Sequence, residues 1–170
     1  MPISKKMQDG INQQIVNELF SSNAYLAIAG YMDSQGLKVL AAHYLEQSAE
    51  ERTHAMKLLH YLLDVGASLS IGAIPEPQNK FKSVEEAVKS ALDQEEIVTT
   101  QINDLMGLAH TQKDYATVSF LQWFVDEQVE EISTASELLQ LVRLAGSERI
   151  LLVEDRLMKT GTAPLATKEP

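Results

Sequence analysis

Apolar residues recur at helical spacing along most of this chain, and the recurrence breaks at a few particular positions. At seven-residue intervals, Ile11, Glu18, Tyr25 and Met32 fall on one stripe, and Leu37, Tyr44, Glu51, Leu58 and Val65 on a second. Val88, Glu95, Ile102 and Ala109 make a third stripe. Phe124, Glu131 and Leu138, beside Leu121, Gln128, Ala135 and Val142, make a fourth. Each stripe carries a glutamate near its middle. The periodicity predicts four long helices, over residues 9–34, 37–64, 83–111 and 115–145.

Ser34-Gln35-Gly36 separates the first two helices and Thr111-Gln112-Lys113-Asp114 the last two. Connections this short make each pair an antiparallel hairpin. Residues 66–82, with Gly66, Gly72, Pro75 and Pro77, read as a loop. A helix of about 27 residues is about 40 Å long, and an extended chain covers at most about 3.3 Å per residue. The loop is therefore long enough to cross the bundle and let the third helix run parallel to the second. Ser83 with Glu86 has the form of a capping box opening the third helix. Gly146 is a stop for the fourth, and Ser147 a cap for a short fifth helix over residues 148–158 that needs a partner surface. The expected fold class is all-α: an antiparallel four-helix bundle with a long crossover between helices two and three and a short C-terminal fifth helix. Residues 1–158 form that unit, and the polar segment 159–170 is expected to be a disordered tail.

Bulk properties narrow the function. A chain of 170 residues, 45% of them hydrophobic, supports one domain with one good core. Its 24 acidic and 14 basic residues give a net charge of -10, which repels nucleic acid and anionic membranes and attracts cations. The absence of cysteine excludes disulfides, iron-sulfur clusters and thiolate zinc sites, and is compatible with a reducing cytoplasm. The N-terminal lysines precede no apolar run, so no secretory signal is expected, and nothing approaches the roughly 18 apolar residues that span a bilayer. A cytoplasmic protein is the expectation.

The glutamates then become the central chemistry. Moving an ionised carboxylate into an apolar interior costs several kcal/mol, on the order of more than one hydrophobic side chain returns. Four facing carboxylates must either take up protons or surround a cation. His54 follows Glu51 by one turn, about 4.5 Å of axial rise, so both can reach one ion. Carboxylates with one imidazole suit iron or manganese better than zinc. Two ions are expected, with Glu51 and Glu131 able to bridge, Glu18 and His54 completing one and Glu95 the other. Gln128 is a neutral hydrogen-bonding neighbour or a solvated residue. Tyr25 either orients a ligand carboxylate, supplies an electron, or is plain core. Trp123 is a redox neighbour or packing. Glu50, Glu127 and Glu130, with Glu131, either hold a further cation or form a solvated acidic face. His43, His60 and His110 have no acidic partner at ligand spacing and read as surface or structural residues.

At these residues the chain resembles the bacterial non-haem ferritins. The likeness is carried by Asn17-Glu18-Leu19 with Tyr25-Leu26, by Glu50-Glu51-Arg52-Thr53-His54-Ala55, by Ala91-Leu92-Asp93-Gln94-Glu95, and by the run from Phe120 to Glu131. The resemblance implies a ferritin-like bundle with a di-iron ferroxidase centre. Glu18, Glu51, His54 and Gln128 would surround one iron, and Glu51, Glu95 and Glu131 the other. Glu50, Glu127, Glu130 and Glu131 would form a third iron site. It also implies oxidation of Fe(II) by oxygen or hydrogen peroxide, storage as ferric mineral, and a twenty-four-subunit shell with the fifth helix near a four-fold axis. Haem-binding relatives carry methionine after the bridging glutamate and a second Glu-x-x-His on the fourth helix. Arg52 and Glu130 stand at those places here, so no haem is expected. Two rivals remain: a non-storing di-iron oxidase or peroxidase, and a structural bundle whose buried acids are satisfied by water and lysine.

Overall fold

The computed structural model describes residues 3–160; its regular elements are all helices, with no strand among the described residues. Four long helices, α1 (Lys5–Ser34), α2 (Lys38–Asp64), α3 (Val84–Gln112) and α4 (Tyr115–Ala145), are followed by a 3₁₀ turn at Ser147–Arg149 and a short helix, α5 (Leu151–Thr160). None of the helices is long and apolar enough to cross a membrane.

Local chemistry explains the boundaries. α1 starts earlier than its stripe suggested, because Ser4 caps it: the Ser4 hydroxyl accepts from Met7 N–H at 3.1 Å. Ser83 caps α3 as expected, accepting from Glu86 N–H at 3.1 Å, while Glu86 reaches back to Lys82 N–H at 2.6 Å. Asp114 caps α4 through Thr117 N–H at 3.2 Å. Gly36 and Gly66 close the first two helices with φ of 78° and 72°, a left-handed backbone that strains any residue with a Cβ. α2 has no side-chain cap of its own. The cap comes from α5, where the buried Glu154 carboxylate accepts from Leu40 N–H at 2.7 Å.

Side-chain pairings between helices establish the topology. Along α1 and α2, Ser22 meets Ser48 near the middle while Asn12 meets Ser68 and Ser70 just beyond the end of α2, so these helices are antiparallel. Gln14 meets Gln101 and Ser21 meets Gln94, so α1 and α3 are antiparallel too. The second and third helices therefore run the same way, as the long connection allows. That connection leaves α2 beside Asn12 and reaches α3 beside Tyr31, whose ring packs on Phe81 with centroids 5.4 Å apart. α4 returns antiparallel to α3, with Gln128 beside Glu95 and Arg143 beside Glu85. The expected four-helix bundle with crossover is what forms.

The core is not continuous. One apolar cluster gathers Ile28, Met32, Leu40, Val88, Leu138 and Val142, with Val153 and Leu157 of α5 packed into it. The other gathers Met7, Ile11, Ile15, Leu58, Ile102 and Leu121 at the opposite end. Each fully buried aliphatic or aromatic side chain contributes roughly 1.5–3 kcal/mol. Between the two clusters lies a buried polar layer of Glu18, Ser21, Ser48, Glu51, His54, Glu95, Gln128 and Glu131. The expected tail begins too early by two residues, since Lys159 and Thr160 belong to α5; residues 161–170 lie outside the described residues.

Candidate metal centre

All four long helices deliver a glutamate to the middle layer, and the burial is nearly complete. Glu18 and Glu95 are 1% exposed, Glu51 2%, His54 3%, Gln128 4% and Glu131 6%. The seven-residue spacing forces this: whatever turns Ile11 and Met32, or Leu58 and Tyr44, into the core turns Glu18 and Glu51 in as well.

The hydrogen bonds available to these acids are few. Gln14 Nε2 donates to Glu18 Oε1 at 2.9 Å. The Tyr25 hydroxyl donates to Glu95 Oε1, and Gln128 Nε2 donates to Glu95 Oε2 at 3.1 Å and to Thr99 Oγ1 at 3.1 Å. His54 Nδ1 lies 3.4 Å from Glu51 Oε2 without hydrogen-bond alignment. Glu18 Oε2 and Glu51 Oε2 are left buried with no partner. A buried, unpartnered carboxylate oxygen costs roughly 1–3 kcal/mol or more, so two together on facing helices need an explanation from function. A bound cation supplies one. One donor atom from each of Glu18, Glu51 and His54 lies within 4.8 Å of the others, and so does one from each of Glu50, His54, Glu127 and Glu131.

Electrostatics point the same way. Burial raises the Glu18 carboxyl from 4.5 to about 7 and Glu131 to about 9. It holds Glu51 well above the ordinary range, with the negative charges of Glu95 and Glu18 adding to the effect, and it raises Glu95. Burial lowers His54 to about 4, helped by the Lys57 charge, so its imidazole is neutral at pH 7 and free to bind a metal. Tyr25 is pushed well above the usual phenol range by burial, then by Glu95 and Glu51, and stays a protonated donor. Protons therefore sit where a cation would sit, and binding the cation releases them. Glu50 and Glu127 are also raised by burial, and the Glu130 charge adds to both.

Of the residues singled out from the sequence, Glu18, Glu51, His54, Glu95, Gln128 and Glu131 are buried in this layer, Tyr25, Trp123, Glu50 and Glu127 lie beside it, and Glu130 is exposed. Gln128 was expected beside Glu18, but its amide is tied to Glu95 and Thr99. The outer cluster is Glu50, His54, Glu127 and Glu131: it draws in His54, expected with the inner ligands, and does not include Glu130, expected in the third site. Tyr25 takes the orienting position, bonded to Glu95; its ring also walls a cleft of about 240 Å³ between α1 and α3, opposite Phe81. His60 and His110 are exposed, and His43 is buried edge-on against Tyr44. Gln14, Thr99 and Lys57 were not foreseen. Gln14 and Thr99 stand four residues from Glu18 and Glu95, and Lys57 three from His54, so the one-turn neighbour rule was the signal that could have found them.

Comparison with known proteins agrees with this architecture. The family model described as the ferritin-like domain matches residues 8–145. A bacterial non-heme ferritin of Staphylococcus haemolyticus is 42% identical over 132 residues, covering 78% of this chain and 80% of the relative. One from Staphylococcus aureus strain MRSA252 is 35% identical over 161 residues, covering 94% and 97%. Among solved structures, an open pore ferritin from the hyperthermophilic archaeon Archaeoglobus fulgidus superposes with a TM-score of 0.89 at 36% identity, covering 91% of this chain and 96% of that one. A bundle of this topology, split by a layer of buried carboxylates and similar to these proteins over nearly its whole length, belongs to the ferritin-like family.

Proposed function

We propose that this chain stores iron, oxidising Fe(II) to Fe(III) in the buried carboxylate layer and retaining the product as a ferric mineral inside a hollow shell of twenty-four copies. The observation that carries this reading is the pair of unpartnered, buried oxygens, Glu18 Oε2 and Glu51 Oε2, facing a neutral His54. Iron is the substrate. In this reading Glu18, Glu51 and His54 receive one Fe(II), and Glu51, Glu95 and Glu131 the other, with Glu51 shared. Gln128 and Tyr25 keep Glu95 oriented through the hydrogen bonds they make to it. Glu50, Glu127, Glu130 and Glu131 form a third site beside the pair.

Charge supplies the driving force. Anionic oxygen ligands bind the more highly charged Fe(III) more tightly than Fe(II), so the same residues that collect the substrate favour its oxidation. Each Fe(II) loses one electron, and oxygen or hydrogen peroxide takes a pair from two neighbouring irons. Leaving the protein's net charge of -10 partly unscreened also draws Fe(II) toward it. Similarity to chains named bacterial non-heme ferritin supports the storage role, and similarity to a solved ferritin supports assembly into a cage.

The test is Fe(II) oxidation followed by absorbance, with and without prior loading of Zn(II). Zn(II) takes carboxylate and imidazole ligands but has no redox chemistry, so preloading should suppress the fast phase expected of the apo-protein. Fast oxidation unaffected by Zn(II) would contradict oxidation in this layer.

A further inference from the structure

Gln14 stands on the buried face of α1 between Ile11 and Glu18, where an aliphatic side chain would pack with no polar group to satisfy, and it is 2% exposed. Both ends of its amide are engaged. Oε1 accepts from Asn17 Nδ2 at 3.1 Å, while Nε2 donates to Glu18 Oε1 at 2.9 Å and to Gln101 Oε1 of α3 at 3.4 Å. Asn17 is held in turn, since its Oδ1 accepts from Nε2 of the exposed Gln13 at 3.0 Å. The donors therefore run one way, from Gln13 at the surface through Asn17 and Gln14 to a single oxygen of Glu18.

That chain decides which oxygen Glu18 offers. Its Oε1 is occupied and its Oε2 has no partner; Glu51 Oε2 has none either. One donor atom of Glu18 lies within 4.8 Å of donor atoms of Glu51 and His54. Glu95 is held differently, with Tyr25 on one oxygen and Gln128 on the other. A glutamate loses rotamer freedom when it is fixed on a metal ion, so a carboxylate already locked by a buried amide has less left to order when the ion arrives.

We propose that Gln14 is a positioning residue of the metal centre: it clamps Glu18 through Oε1 so that Oε2 is presented, together with Glu51 and His54, to a divalent cation. The inference rests on the metal-centre reading above and deepens it, because it gives the Glu18 ligand a dedicated support on its own helix. The effect belongs to the ion that Glu18 binds. The ion of Glu95 and Glu131 has separate supports in Tyr25 and Gln128.

Calorimetric titration of the full-length apo-protein with Zn(II), which does not turn over, tests this. Gln14→Met keeps the length of the side chain without the donor. It should weaken one bound ion roughly tenfold, the size expected when a metal ligand loses its hydrogen-bonding partner, and shift the other by less than about threefold. Asn17→Ala, at a half-buried and therefore tolerant position, should weaken the same ion by about two- to threefold, and it decides the matter if the Met variant does not fold. In a Glu18→Ala background, Gln14→Met should have no further effect on Zn(II) affinity, because Gln14 acts through that carboxylate; a merely structural role would add its loss in either background. Unchanged affinity in the Gln14 and Asn17 variants, an equal loss at both ions, or a further loss in the Glu18→Ala background would overturn the proposal. A wild-type protein that binds no Zn(II) at all would overturn the metal-centre reading with it, whereas normal wild-type binding with no effect of the variants would overturn only the role of Gln14.

Discussion

Glu51 shows why buried acids of this kind are informative: its carboxyl is 2% exposed, raised well above the ordinary range by burial, and has one oxygen with no partner. Such a group is tolerated for what it binds. Glu51→Gln should leave the melting temperature of the apo-protein unchanged or raise it, because a neutral amide does not have to take up a proton on burial at pH 7. The same change should slow Fe(II) oxidation at least about tenfold. A variant that oxidises iron at the wild-type rate would favour the purely structural bundle. Tyr25→Phe removes the bond to Glu95 and should slow oxidation by about tenfold while costing about 1 kcal/mol of stability. The pH dependence has a definite sign. Glu18 and Glu131 hold protons in the folded state up to about 7 and about 9, but in the unfolded chain only to 4.5. The folded state thus binds more protons between those limits, and the stability this brings is lost as pH rises. His54, lowered to about 4, acts oppositely but only below its ordinary 6.5. Thermal melts of the apo-protein should therefore show a falling melting temperature from pH 6.5 to 9, and metal loading should flatten the fall; a rising apo curve would count against protonated acids in the layer. The buried Glu18, Glu51, Glu95, Gln128 and Glu131 were legible in the sequence because each occupies an apolar-stripe position, and His54 because it follows Glu51 by one turn. Their hydrogen-bonding neighbours were harder to see: Gln14 and Thr99 are ordinary polar residues on helices, and only three-dimensional neighbours give them a task.

Helix boundaries were readable at the local caps Ser83 and Asp114, though not at Ser4. They were missed where the cue was faint or remote. Met7 is the only apolar residue among the first lysines, too little to show a period, yet it is fully buried and α1 extends to meet it. The start of α2 was read to within one residue, but its cap was not: Glu154, more than a hundred residues away in the chain, is revealed by no local pattern. This contact also gives α5 a function within its own subunit, since Val153, Glu154 and Leu157 face the bundle while Leu151, Leu152 and Met158 remain exposed. Glu154→Ala should destabilise the protein by about 1–2 kcal/mol through loss of the α2 cap and leave Fe(II) oxidation close to wild type. Chemical denaturation read by far-ultraviolet circular dichroism would check it; an unchanged midpoint would mean that the bond carries no net stability.

The molecule is two apolar cores joined across a polar layer, and that division makes sense only if the layer does chemistry. Had stability alone been selected, leucines at positions 18, 51, 95 and 131 would fuse the two cores into one. The helical hairpins, the crossover and the layer were all visible from spacing and turn residues, since each is dictated within one helix or one loop. Exposed Leu26, Leu45, Leu63, Ile97, Val129 and Leu144 are too numerous for a comfortable solvent face, and they are apolar surface that the proposed shell would have to cover. The measurement that tests iron storage most directly is the iron retained per chain after aerobic Fe(II) loading of the purified apo-protein, with particle size read by light scattering. Iron held soluble in a large particle, far beyond what the carboxylate layer can ligate, is the predicted result; iron that stops at the layer's own capacity, or a particle no larger than a single bundle, would contradict it.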